Sequence, residues 1–191
     1  VLHEFGHHVM YEFSRFDSEG GAHSLTGHYD IRLTWAEGWA HYFACFTKNQ
    51  RYLSGRYPEF DGNVHYFLDT GTVFIRFELE TPSYAEECQG SDNELAVASV
   101  LWDILDDSTF ADSIAGDDDS VAAGYDEIWQ IVDEYIPLEL SGRGSEQASI
   151  ERFFDLWQQY YPAIDIGTVL QNHGIDFFED ERDASGGDDT P

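Results

Sequence analysis

Apolar positions near the start of the chain recur at three- and four-residue steps, at Leu2, Phe5, Val9 and Phe13, with Glu12 and Arg15 on other faces. That period predicts an amphipathic helix from the first residues to about Phe16. A second helix is predicted from Thr34, where Trp35, Trp39, Tyr42 or Phe43, and Phe46 keep helical spacing. A third, Leu95 to Leu105, is apolar almost all round and is expected between other helices, with Asp92 as N-cap and Glu94 complementing the dipole in its first turn. Tyr125 to Ile136 and Ile150 to Tyr160 read as amphipathic helices stopped by Pro137 and Pro162. Ile164 to Asn172 is a last short helix with its exit at His173-Gly174.

Between these elements the pattern changes. The glycines and short polar residues from Asp17 to about Asp30 predict a loop, and so does Tyr52 to Pro58. Asn63 to Asp69 and Val73 to Glu80 read as two short strands joined by Asp69-Thr70-Gly71-Thr72. Asp106 to Ser120 is an acidic loop, whose aspartates do not match a calcium-loop template, and Gly142-Arg143-Gly144 is a turn. The expected fold is therefore mainly α with a small β-hairpin over residues 1–178, followed by an acidic disordered tail or linker over 179–191. Because Val1 already lies inside the first helix, the chain is read as the C-terminal part of a longer protein.

Composition adds one strong constraint. Asp+Glu 38 against Lys+Arg 9 gives a net charge of -29, and Lys48 is the one lysine. Such a surface repels nucleic acid and anionic membranes, so neither is an expected partner, and no apolar run is long enough for a transmembrane helix. A carboxylate-rich, lysine-poor surface suits a high-salt setting, where ions screen its self-repulsion. Cys45 and Cys88 are compatible with one disulfide or with two buried thiols, and their spacing fits no four-ligand zinc site.

The candidate chemistry lies in His3-Glu4-Phe5-Gly6-His7. On a helix the four-residue step from His3 to His7 stacks both imidazoles on one face, with Cβ atoms about 5–6 Å apart. Two nitrogen ligands so placed suit zinc. Glu4 is turned about 100° from His3, so it flanks the ion and can take a proton from a metal-bound water. A third protein ligand is still needed, and Glu37 is the candidate, being a carboxylate amid aromatic surface that is costly to bury without a cation. His41 shares the face of Glu37 and reads either as a residue orienting a ligand or as a packed histidine. His23 and His28 read first as loop histidines, and Glu94 as a first-turn residue unless it reaches the outer shell of the metal. Gly6 costs about 1 kcal/mol relative to alanine inside a helix, which suggests that another backbone passes close to it.

His3-Glu4-Phe5-Gly6-His7, then Trp35-Ala36-Glu37-Gly38-Trp39-Ala40-His41-Tyr42-Phe43-Ala44, then Asn93-Glu94 to Leu101-Trp102-Asp103, resembles the gluzincin zinc metallopeptidases, closest to the thermolysin and fungalysin layout. The likeness covers mainly residues 1–106. It implies His3, His7 and Glu37 as ligands of Zn2+, Glu4 as general base, a peptide or protein substrate, and an extracellular or cell-surface location, with a salt-rich cytoplasm as the alternative. It also implies the helical C-terminal part of a zincin-like α+β domain whose sheet lies upstream. The family usually has an aspartate where His41 stands, and its oxyanion-stabilising residue falls on His23, His173 or Tyr84. Two rival expectations are a zinc-stabilised, non-catalytic binding domain and an acidic helical interaction module without metal.

Screening of the acidic surface gives the first expected outcome. Thermal melts should move to higher temperature as NaCl is raised from millimolar to multimolar, whereas equal stability at both ends would remove the case for salt adaptation.

Overall fold

The computed structural model describes residues 1–53, 63–67, 74–79, 88–105, 121, 123–141 and 147–175, and these are mainly helical. Helix α1 spans Leu2–Phe13 and α2 spans Ile31–Leu53. Strands β1 (Asn63–Phe67) and β2 (Phe74–Glu78) pair antiparallel, with His65 opposite Arg76. Helix α3 spans Glu94–Leu105. Then α4 (Tyr125–Gln130) runs through a π turn (Ile131–Tyr135) into α5 (Ile136–Leu140), followed by α6 (Ile150–Tyr160) and α7 (Gly167–Asn172). Tyr84, the acidic loop 106–120, the turn 142–144 and the tail from 179 lie outside the described residues.

Helix α2 is the centre of the packing, with α1 on one side and α3 on another. Its first turns are buried all round, from Leu33 through Tyr42, and Trp35 and Trp39 join Tyr42, Leu95, Leu101, Phe153 and Trp157 in the core. It begins at Ile31, three residues before the predicted start. The cause is Asp30, whose Oδ1 accepts the Arg32 amide at 2.9 Å and whose carbonyl accepts the Leu33 and Thr34 amides.

The cap of α3 also differs from expectation. Asn93, not Asp92, accepts the amides of Leu95 and Ala96 through Oδ1, each at 3.0 Å. Its amide nitrogen meanwhile donates to the carbonyls of Leu25 and Gly27 at 3.2 and 3.1 Å, so one side chain both starts α3 and holds the loop after α1. Helix α6 starts where predicted, with Ser149 accepting the Arg152 amide. Helix α7 begins at Gly167 rather than Ile164 and closes as foreseen: Gly174 takes φ +69°, and the Gly174 and Ile175 amides return to Gln171 and Leu170.

Pro137 does not stop the helix it was expected to end. The Ile136 amide bonds to the Ile131 carbonyl, an i to i−5 step, so in this register the next carbonyl, Val132, is left facing a proline nitrogen that has no hydrogen. Ser14, from the end of α1, donates its hydroxyl to that Val132 carbonyl at 2.6 Å. Arg15 similarly donates to the Leu140 carbonyl at 2.7 Å, and Asp17 accepts the Ala148 amide at 3.1 Å. The end of α1 thus satisfies backbone groups of the C-terminal helices.

The buried face of α1 is Gly6, Val9 and Met10, while Phe5 and Phe13, on the apolar period that predicted the helix, are exposed. Gly6, one position on from Phe5, lies against Ala40 of α2. Cys45 and Cys88 are both buried thiols, and burial pushes the Cys45 thiol pKa up. Among the described residues no helix is long and apolar enough to cross a membrane.

Replacing Ser14 with alanine should strand the Val132 carbonyl and lower stability by about 1–3 kcal/mol in urea unfolding. An unchanged midpoint would show that water serves that carbonyl equally well.

Candidate metal centre

Two glycines let three helices approach closely enough for their polar side chains to meet. A Cβ on Gly6 would lie 2.9 Å from the Cα of Ala40 on α2, and the Gly6 carbonyl accepts the Trp39 indole N–H at 3.2 Å. A Cβ on Gly38 would lie 2.5 Å from Val97 Cγ1 and 2.9 Å from the Glu94 carbonyl on α3. The expectation of a close backbone pass at Gly6 agrees with this geometry.

Across these contacts His3, His7 and Glu37 are brought together. His3 Nε2 and His7 Nε2 lie 3.2 Å apart, and Glu37 Oε2 is 3.0 Å from the first and 3.3 Å from the second. Ligand atoms about 2.0–2.1 Å from one tetrahedral ion would be about 3.3 Å from each other, so the three separations match such a cage. Glu37 is buried, which by itself raises a carboxyl pKa. Hydrogen bonding to His3 and His7 and the charges of His7 and His23 outweigh that and hold it well below the usual carboxylate range. Glu4 is exposed on the same helix, beside His3.

His41, Glu94 and His23 pack around these groups. His41 is buried, its ring centroid 4.5 Å from that of His3 and its Nε2 3.5 Å from Glu94 Oε1. Burial pushes its pKa down and favours the neutral ring, against the opposing pull of Glu94. Glu94 is 1% exposed and reaches the cluster, so its role exceeds that of a first-turn charge. Its Oε2 lies 2.8 Å from His23 Nδ1, and His23 Nε2 lies 3.5 Å from Glu37 Oε1. Groups that could hold a metal ion include His3, Glu37 and His41, and His23, Glu37 and Glu94.

Of the three histidine or tyrosine candidates for the oxyanion, His23 is at the cluster. His173 is committed elsewhere, its Nε2 being 2.5 Å from Asp103 Oδ2 in a buried pair, and Tyr84 is outside the described residues. His28 pairs with Asp92 at 2.7 Å on the surface. The His23–Glu94 contact was not foreseen from sequence. The argument that marked Glu37, a carboxylate placed on apolar helix surface, applies equally to Glu94 and would have found it.

No family profile matches the chain, and no solved structure does. It is similar to an uncharacterized protein of Archaeoglobus fulgidus, 29% identical over 131 residues that make up 67% of this chain and 33% of that protein. The matched segment spans about a third of the relative's length.

Filling the close contact at Gly6 should separate α1 from α2. Gly6→Leu is expected to weaken any divalent-metal binding by the cluster about tenfold and to cost about 1–3 kcal/mol of stability through overpacking. Isothermal titration and a urea melt check it, and a variant with full affinity and stability would contradict the role given to Gly6.

Proposed function

We propose that the chain carries the centre of a zinc metallopeptidase that hydrolyses peptide bonds, with His3, His7 and Glu37 as ligands and Glu4 as general base. The observation that supports this reading is the set of 3.0, 3.2 and 3.3 Å separations among the three ligand atoms. Two imidazole nitrogens and one carboxylate oxygen also form a donor set typical of catalytic zinc, leaving one position open. His7 and Glu37 keep partial side-chain exposure, 21% and 11%, so solvent could reach an ion held there. In this reading the helices belong to a zincin-like domain whose sheet lies upstream, and the acidic surface keeps the protein soluble in high salt, outside the cell or at its surface.

Zinc held there would acidify a water molecule and polarise the scissile carbonyl. The residues of the chain do the rest. Glu4, one position after His3, takes the proton of the attacking water and later returns it to the leaving amine. The buried Glu37 offsets part of the ion's charge, while Gly6 and Gly38 keep the ligand helices close enough to hold three atoms on one centre. Glu94 fixes the ring of His23 through Nδ1 and leaves Nε2 facing the cluster.

Glu4→Gln in the complete protein should retain bound zinc by elemental analysis and lose about 100-fold or more of its casein hydrolysis at high salt. Hydrolysis at the parental rate would remove Glu4 from the mechanism, and a parent protein that binds zinc without any hydrolysis would leave a non-catalytic zinc domain.

A further inference from the structure

Glu37 presents its two oxygens to two different sets of groups. Oε2 faces the Nε2 atoms of His3 and His7, while Oε1 faces the other way, 3.5 Å from His23 Nε2. His23, Glu37 and Glu94 together offer ligand atoms that all lie within 4.8 Å of one another. A carboxylate that divides its oxygens in this manner is suited to bridge two ions about 3.5–4 Å apart.

We propose that His23, Glu94 and Glu37 Oε1 form a second divalent-cation site, with Glu37 bridging it to the ion held by His3 and His7. The inference rests on the zinc reading given above, because Glu37 serves both ions. Glu94 is 1% exposed, and taking a carboxylate out of water costs several kcal/mol unless a strong partner returns it. Both of its oxygens face imidazole nitrogens, at 2.8 Å to His23 and 3.5 Å to His41. An ion between Glu94 and His23 would stabilise Glu94 and the second oxygen of Glu37 together. His23 would bind the ion through one nitrogen: taken at Nδ1, the ion replaces the 2.8 Å contact with Glu94, which opens by about half an ångström to the tetrahedral edge of about 3.3 Å, and the ring turns that nitrogen toward Glu37 Oε1. One nitrogen and two carboxylate oxygens suit zinc and also its harder divalent neighbours.

The backbone arrangement carries the same point. Asn93 caps α3 immediately before Glu94 and grips the His23 loop at Leu25 and Gly27, so ligands distant in sequence ride on one hydrogen-bonded unit. A bridging pair of ions would let the reaction use a carbonyl or an amino terminus of the substrate as a second point of attachment.

The test uses zinc, and cobalt for spectroscopy, as probes on the complete protein stripped with chelator and titrated calorimetrically, with elemental analysis after desalting. The parent should take up two equivalents at this cluster, and Glu94→Gln and His23→Ala should each lose one while keeping the tighter. Glu94→Gln is nearly isosteric, and His23→Ala alters a loop side chain outside the core, so matched melting curves separate loss of a ligand from loss of fold. In the cobalt-loaded parent, two ions at bridging distance should give a spin-coupled signal that both variants abolish. One equivalent, unchanged by either variant, would overturn the second site and leave the first standing. One equivalent that weakens in His23→Ala would put His23 on the first ion and overturn the inference as well. No bound zinc would overturn both readings.

Discussion

The close approach of three helices at two glycines is the constraint from which the rest follows. Gly6 admits the backbone of α2 at Ala40, and Gly38 admits Val97 and the Glu94 carbonyl of α3. Each glycine inside a helix gives up about 1 kcal/mol of helix propensity, and what it provides here is proximity. With an ordinary side chain at either point the helices would separate, and side chains now about 3 Å apart would no longer meet. The site is therefore a property of helix spacing as much as of residue identity. That spacing is held by Trp35, Trp39 and Tyr42 on the buried length of α2.

The electrostatics follow from that spacing. Two carboxylates, Glu37 and Glu94, are buried within an array of His3, His7, His23 and His41. In a chain with a net charge of -29 the interior of this cluster is one place where negative charge has been given specific partners rather than left to solvent. The imidazoles lower the cost of burying Glu37 enough to keep its carboxyl ionised, which is the state a cation requires.

Much of this was legible in the chain because it is local. The four-residue step from His3 to His7, the carboxylate among tryptophans at Glu37, and the amphipathic run from Ile150 each depend on neighbours within a turn or two. What was not legible depends on distant partners. The continuation of the helix past Pro137 needs the hydroxyl of Ser14, 118 residues earlier, and the position of His23 needs Glu94, 71 residues later. The exposure of Phe5 and Phe13 was missed because hydrophobic spacing gives the period of a helix and not which side its neighbour takes. Asp92 lost the cap to Asn93 for a related reason, since only the amide of Asn93 can accept from α3 and donate to the Leu25 loop at once.

The seam formed by Ser14, Arg15 and Asp17 has a mechanical meaning. It fastens the far end of the histidine-bearing helix to the Val132 and Leu140 carbonyls and to the Ala148 amide. Rotation or sliding of α1 is thereby referred to the C-terminal helices. A change in the length or twist of the segment around Pro137 would be transmitted along α1 as a lever and felt at His3 and His7, so residues remote from the cluster set how well it is aligned.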